Sequence, residues 1–236
     1  MIFMMRMPTR WILSLAVAAL ASGGISLDGA EMKSKPGKWK VLFDGKSADK
    51  WRGFKMTSFP DQSWKVEHGV LKTIKGGGGP DIVSKEKFDN FELELEWKVT
   101  PGANSGIMYR VSEDFDAPYE TGPEMQVLDD EKHADGRNPK TSAGSLYDLI
   151  APKNKKLKPV GEWNKVRIVI AGNHVEHWLN GIKVVEYELG SDPFNQLIAQ
   201  SKFKDMPRFA REKTGYLDLQ HHGDEVWYRK IRVRRL

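Results

Sequence analysis

The sequence contains no cysteine among its 236 residues, which excludes disulfide bonds, a cysteine nucleophile and a cysteine lipid anchor. It also contains no Gly-x-Ser-x-Gly turn and no His-Glu-x-x-His segment. These absences exclude the most common signatures of serine hydrolases and zinc proteases. Stability and chemistry must therefore come from a buried core and from polar side chains spread along the chain.

Long apolar runs are also missing, apart from residues 11–21, and this run is too short to span a membrane as a helix. Arg6 and Arg10 precede the run and small residues follow it, which is the layout of a secretory signal peptide. Cleavage after Ala21 and cleavage after Ala30 both fit the pattern. The sequence therefore predicts a periplasmic or secreted protein.

The division of the chain follows from this signal. We expect a signal peptide and short linker over residues 1–30 and a single domain over residues 31–236, with no membrane insertion once the signal is removed. The formal net charge is +5, but the basic residues are mixed with acidic ones over most of the chain. A solvated surface explains this distribution better than a groove for nucleic acid.

Strand patterns dominate the domain. The clearest is Phe91–Val99, where apolar and charged residues alternate through nine positions. Asn180-Gly181 between two apolar runs predicts a hairpin. Similar runs lie at residues 39–43, 64–71, 105–111, 124–128, 166–170, 216–221 and 226–233. Helical periodicity is confined to residues 194–201, so the pattern favours an antiparallel sandwich or barrel.

Two of these runs carry polar side chains on one face. In residues 124–128, period-two alternation places Glu124 and Gln126 together, opposite two apolar residues. In residues 215–223 the same alternation groups Asp218, Gln220 and His222. Neighbouring amide, acid and imidazole groups offer the paired donors and acceptors that sugar hydroxyls require.

Other candidates stand apart from these two runs. Alternation places Arg110 on the face of Gly106 and Met108, away from the core. Trp178 is the most exposed tryptophan expected on a strand, where an indole can stack on a sugar ring. His221 and His177 are predicted to face the core. A divalent metal ion held by Glu124, His222 and Asp129 is conceivable, although no short ligand spacing supports it.

The residues resemble a known family, that of the 3-keto-disaccharide hydrolases. The resemblance runs in order over about residues 38–236. It rests on Val41-Leu42-Phe43-Asp44-Gly45-Lys46 with Trp51, Asn104-Ser105-Gly106-Ile107 with Arg110, Glu124-Met125-Gln126-Val127-Leu128-Asp129, Ala143-Gly144-Ser145-Leu146-Tyr147, Gly161-Glu162-Trp163-Asn164, Val175-Glu176-His177-Trp178-Leu179-Asn180-Gly181 and Leu219-Gln220-His221-His222-Gly223. It implies an all-β, two-sheet antiparallel jelly-roll sandwich of the concanavalin A-like lectin and glucanase type.

The resemblance also implies cleavage of glycosides that carry a ketone at sugar carbon 3. Such a ketone acidifies the carbon-2 hydrogen, so that a base can form an enolate that expels the group on carbon 1, after which water adds. On this basis Arg110 is expected to hold the ketone oxygen, and Glu124 or His222 to take the carbon-2 proton. The residues expected to position the substrate are Gln126, Tyr147, Gln220, Asp129 and Trp178.

Two alternatives remain open from the sequence. Direct hydrolysis needs two carboxylates across the scissile bond, and Glu124 with Asp129, Asp218 or Asp224 would supply them. A carbohydrate-binding module without catalysis is the second alternative, since similar folds serve lectins. Convergence of Glu124, Arg110 and His222 in one pocket would favour the enzyme, and a shallow groove lined by exposed tryptophans would favour the binding module.

Overall fold

A computed structural model describes residues 1–2, 36–76 and 78–236. The chain divides into two units, Met1–Lys33 and Ser34–Leu236, and the second contains the folded domain. The predicted signal peptide and its cleavage points fall outside the described residues. Within the described part, no helix is both long enough and apolar enough to cross a membrane.

The domain is built from thirteen β-strands and one α-helix over residues 36–76 and 78–236. The strands are β1 Lys40–Phe43, β2 Trp51–Gly53, β3 Trp64–Glu67, β4 Val70–Thr73, β5 Ile82–Phe88, β6 Phe91–Val99, β7 Asn104–Val111, β8 Glu124–Leu128, β9 Asn164–Ala171, β10 His174–Leu179, β11 Ile182–Glu188, β12 Gly215–Leu219 and β13 Val226–Arg235. The helix α1 is Asp192–Ala199, and short 3-10 turns include Pro118–Glu120 and Lys202–Asp205.

The strands form two antiparallel sheets. The larger sheet has the order β11-β10-β9-β6-β13-β4-β3, with β1 also paired to β13, and the smaller sheet has the order β2-β5-β12-β7-β8. The inward side chains of both sheets share one hydrophobic core, to which Leu93 and Ile168 contribute from the large sheet and Ile107 and Leu219 from the small one. The structure confirms the expected two-sheet jelly-roll sandwich.

Hairpins connect many neighbouring strands. Asn180 and Gly181 both have positive φ, 50° and 82°, as a tight two-residue turn requires, so the predicted hairpin is confirmed. The run at residues 64–71 was expected to be one strand, and this is wrong. His68 and Gly69 have positive φ and fold the chain into the β3–β4 hairpin.

The free edge of the small sheet is covered by the chain that follows β8. Gln126 of β8 donates its backbone N–H to the carbonyl of Ser145 and accepts the N–H of Gly144. Met125 also forms a bridge with Leu146. Exposed strand edges are open to pairing with other chains, and this segment closes the edge. It also brings Tyr147 beside β8, where its N–H donates to the carbonyl of Glu124.

Candidate active site

Polar side chains cluster on the outer face of the small sheet, the face turned away from the core. Met125 and Val127 of β8 and Leu217 and Leu219 of β12 lie in the core, so the residues that alternate with them point outward. Strand β7 lies between β12 and β8 and aligns these neighbours in two rows. Met108 lies between Glu124 and Asp218, and Gly106 lies between Gln126 and Gln220.

The glycine at position 106 makes room for Glu124. A Cβ atom added at Gly106 would lie 2.1 Å from Oε1 of Glu124 and 2.7 Å from its Cδ. Real Cβ atoms do not approach other atoms so closely, so only glycine lets the Glu124 carboxyl lie across β7. The space above Gly106 therefore allows the Glu124 carboxyl to lie on the sheet.

The Glu124 carboxyl is buried and has an unusual pKa. Burial raises the pKa of Glu124 from 4.5 to about 8, with Lys202 lowering it and with Asp81 and Asp135 adding to the increase. A carboxyl group with a pKa near neutrality can take and return protons at ordinary pH. This is the property expected of a general base.

Two further acids lie close to this carboxyl. Asp218 is fully buried, and neither of its oxygens has a hydrogen-bond partner among the described residues. Burial raises the pKa of Asp218 well above its usual value, and the charges of Asp81 and Glu124 add to this effect. Asp81 accepts the backbone N–H of His221 at 2.7 Å, and burial raises the pKa of Asp81 to about 7. Three interacting acids therefore lie at this end of the sheet.

Unpartnered polar atoms also mark the face. Within the described residues, both polar atoms of the Gln126 amide and Oδ1 of Asn104 are buried without a hydrogen-bond partner. Buried polar groups normally have partners, and each unpaired one costs about 1–3 kcal/mol. Such atoms beside an open cleft are suited to hydrogen-bonding a polar ligand.

These groups line a cleft of about 170 Å³. The lining residues are Asn104, Tyr119, Glu124, Gln126, Tyr147, Lys202, Gln220 and His222. The cleft therefore brings together five of the eight predicted site residues, namely Glu124, Gln126, Tyr147, Gln220 and His222. His222 is exposed, with its ring 6.4 Å from that of His133.

Arg110 does not reach the cleft. Its guanidinium donates to the carbonyls of Asp89, at 3.1 Å, and Gly172, at 3.0 Å, in two turns between strands. A β-bulge causes this, because two residues of β7, one of them Arg110 at φ 54°, lie opposite the single Leu217 of β12. The extra residue breaks the alternation beyond Met108. Arg110 therefore does not line the cleft with Glu124 and His222, as the proposed contact with a ketone would require.

Asp129 and Trp178 are also placed elsewhere. The Asp129 carboxylate accepts the backbone N–H groups of Gly102 and Glu131 and holds a turn. Trp178 lies on the outer face of the large sheet, where its Nε1 donates to Glu176 and Arg167 stacks on its ring at 4.0 Å. Neither residue lines the cleft, so their predicted contacts with the sugar are not supported by the structure.

Of the conceivable metal set, Glu124 and His222 line the cleft and Asp129 does not, because its carboxylate accepts two backbone N–H groups. A group of three ligand-type side chains within the described ranges is His174, Glu176 and Glu186, on the large sheet. Lys183 contacts both glutamates there, at 3.1 and 2.7 Å. Ion pairing accounts for this group.

No sequence pattern points to Lys202, Tyr119 or Asp81. Lys202 and Tyr119 stand in short 3-10 turns, and Asp81 precedes β5, which was not predicted. None of them belongs to an alternating pattern. The Asn104-Ser105-Gly106 segment is among the motifs of the resemblance, but nothing in the sequence indicates that Oδ1 of Asn104 is buried without a hydrogen-bond partner.

Comparisons with known proteins agree with this architecture. Residues 38–234 match the family model described as 3-keto-alpha-glucoside-1,2-lyase-like domain. A Bacteroides thetaiotaomicron protein named 3-keto-disaccharide hydrolase is 38% identical over 224 residues, which cover 82% of this chain and 77% of that protein. A solved structure from Parabacteroides distasonis ATCC 8503, named "putative glycosyl hydrolase", has a TM-score of 0.78 and 31% identity over 84% of this chain and 94% of its own.

Proposed function

The chain belongs to the family of 3-keto-alpha-glucoside-1,2-lyase-like domains, and from this membership and the cleft we propose that it cleaves 3-keto-glycosides. The name of the Bacteroides relative supports a hydrolase that acts on carbohydrates. The proposal adds the oxidised substrate and the order of the chemical steps. The observation that carries it is the buried Glu124 carboxyl, with its raised pKa, at the bottom of a polar cleft.

Glu124 is the proposed base. It takes the proton from carbon 2, and the electrons of that C–H bond form the enolate of the carbon-3 ketone. The enolate then expels the oxygen on carbon 1 with the electron pair of the broken C–O bond, which leaves a double bond between carbons 1 and 2. Water adds to carbon 1 while carbon 2 is reprotonated, so the net reaction is hydrolysis.

His222 is the proposed proton donor to the departing oxygen, because it is exposed in the lining of the cleft, where a leaving group can exit. Gln126 and Gln220 flank Gly106 beside Glu124, and their amides are suited to holding the ring hydroxyls. The unpaired atoms of Gln126 gain partners when a sugar binds. Tyr147 donates its hydroxyl to Asp135 and borders the same space.

The proposed place of action is the periplasm or the exterior of the cell, from the signal pattern of the first 30 residues.

The cleft is proposed to enclose one sugar ring of the substrate, since its volume of about 170 Å³ is smaller than the roughly 300–1,000 Å³ of sites that enclose drug-sized ligands.

The test is release of a chromogenic aglycone from a 3-keto-glucoside and from the matching unoxidised glucoside, with and without chelator. Release from the keto substrate alone is expected. Release from both would instead indicate direct hydrolysis, for which Glu124 and Asp218 are the available acids. Binding without release from either substrate would indicate a binding module. Loss of activity with chelator would show that a metal ion takes part.

The role of Glu124 is tested by Glu124→Gln, which keeps the shape of the side chain and removes the base. Glu131→Gln is the matched control, because Glu131 is exposed and lies outside the cleft. The first variant is expected to lose cleavage and the second to keep it. If Glu124→Gln remains active, the base is assigned to His222 instead, and His222→Ala tests that assignment.

A further inference from the structure

The displacement of Arg110 leaves the developing enolate without its expected cation. Both carbonyl contacts of Arg110 lie in turns outside the cleft, and its guanidinium is committed to them. Of the eight described residues that line the cleft, Lys202 is the only lysine, and none is an arginine. A cation that faces the substrate is what an enolate requires, because negative charge gathers on the carbon-3 oxygen as the carbon-2 proton leaves.

Lys202 is held over the cleft by aromatic rings. Its Nζ lies 4.1 Å from the ring centre of Tyr147, 5.1 Å from that of Phe203 and 5.8 Å from that of Tyr119. Aromatic faces attract an ammonium group through their quadrupole without neutralising its charge. Within residues 36–76 and 78–236, no carboxylate forms an ion pair with this group at 4.0 Å or less. The positive charge is therefore available to a ligand.

The backbone beneath Lys202 is fixed as well. Its N–H donates to the Asp148 carboxylate at 2.9 Å, and Ser201 caps the 3-10 turn by accepting the N–H of Phe203. The Phe203 ring stacks on Phe209 with centroids 3.9 Å apart. These contacts anchor a flexible side chain at its base, so less ordering is required when substrate binds.

The charge of Lys202 already acts on the proposed base, since it lowers the pKa of Glu124 against the effect of burial. We propose that Lys202 is a catalytic residue that holds the carbon-3 oxygen and stabilises the enolate formed when Glu124 removes the carbon-2 proton. This inference rests on the proposed function. No group is transferred to Lys202, because the proton goes to Glu124 and the ammonium only donates a hydrogen bond.

Two effects of removing the charge can be separated by the pH profile. Lys202→Met raises the pKa of Glu124, which moves the midpoint of the rate profile to higher pH. Enolate stabilisation, in contrast, appears in the plateau of kcat above that midpoint, where Glu124 is fully ionised. The plateau therefore reports the direct role of the ammonium, and the midpoint reports its field at the base.

The experiment compares the wild type with Lys202→Met, Lys202→Arg and Lys204→Met on a chromogenic 3-keto-glucoside. Lys204 is an exposed neighbour in the same turn and serves as the matched control. Lys202→Met is expected to lower the plateau kcat by about 10²- to 10³-fold, as for loss of one oxyanion donor. Lys202→Arg is expected to recover part of this loss, and Lys204→Met to match the wild type.

Exchange of the carbon-2 hydrogen in D₂O is measured in parallel and should slow in Lys202→Met to the same extent. An unchanged plateau with a shifted midpoint would overturn the proposal, because Lys202 would then act only on the pKa of Glu124. A change confined to KM would overturn it too, in favour of substrate binding alone. A wild type that leaves the keto substrate intact would overturn the proposed function itself, so the two failures are distinct.

Discussion

Replacement of Glu124 by glutamine should change how the stability of the fold depends on pH. The pKa of Glu124 is raised from 4.5 to about 8 in the folded protein. Between these values the unfolded chain has released the proton and the folded chain keeps it. The folded state is therefore favoured by this group below about pH 4.5, and that contribution is lost as the pH rises to the folded pKa.

The size of the effect follows from the interval. A span from 4.5 to about 8 at roughly 1.4 kcal/mol per unit gives about 5 kcal/mol of lost stability over the full window. Measurements at about pH 5 and about pH 8.5 cover most of it, so the wild type should lose about 4 kcal/mol more than Glu124→Gln between them. The amide side chain of this variant has no charge to bury, and its own cost is independent of pH.

Urea unfolding at the two pH values is the assay, with Glu131→Gln as the control for loss of an exposed carboxylate. The free energy of unfolding of the control should follow that of the wild type. Parallel pH dependence in the wild type and in Glu124→Gln would refute the reasoning, because it would mean that Glu124 ionises in the folded protein near its ordinary pKa.

Three further substitutions have specific expected outcomes. Asp81→Asn keeps an acceptor for the His221 N–H and removes a charge that raises the pKa of Glu124, so the midpoint of the pH–rate profile should move to lower pH. Gly106→Ala should abolish activity while the thermal transition persists, because the new Cβ must displace the Glu124 carboxyl. Arg110→Met should lower the free energy of unfolding by about 1–3 kcal/mol, measured with urea, because two turn carbonyls lose their donor. It should leave kcat of the folded enzyme unchanged, because Arg110 does not line the cleft.

Each of these outcomes has a contrary result. An Asp81→Asn profile that stays in place would remove Asp81 from the electrostatics of the base. A fully active Gly106→Ala enzyme would mean that the carboxyl need not lie across β7. A loss of kcat in Arg110→Met, under conditions in which the variant remains folded, would indicate that Arg110 takes part in catalysis.

The fold was accessible from sequence where side chains alternate without interruption. The pattern over Phe91–Val99 gave β6 with its bounds, and the Asn180-Gly181 turn placed a hairpin correctly. The short strand β2 and the strand β5 were missed. The alternation in β5 breaks at its bulge against β12, where Tyr216 and Asp218 pair with Lys87 and Val83.

The site residues could be predicted where alternation is regular, and the prediction failed where a bulge interrupts it. Glu124 and Gln126 lie in a regular strand, so period-two alternation put them on the correct face. Arg110 lies at a bulge, which depends on pairing between distant strands and has no local signature in β7. Lys202 reaches the cleft through the 3-10 turn that follows α1, and only the tertiary structure reveals that proximity.

The segment that covers the edge of β8 links two properties that are usually separate. Residues 144–146 pair with β8 and close its hydrogen-bonding edge, and the next residue, Tyr147, borders the cleft. An open edge invites pairing with strands of other molecules. One short stretch of chain therefore both closes the sheet edge and borders the cleft, so a substitution there can change the tendency to aggregate and the shape of the cleft together.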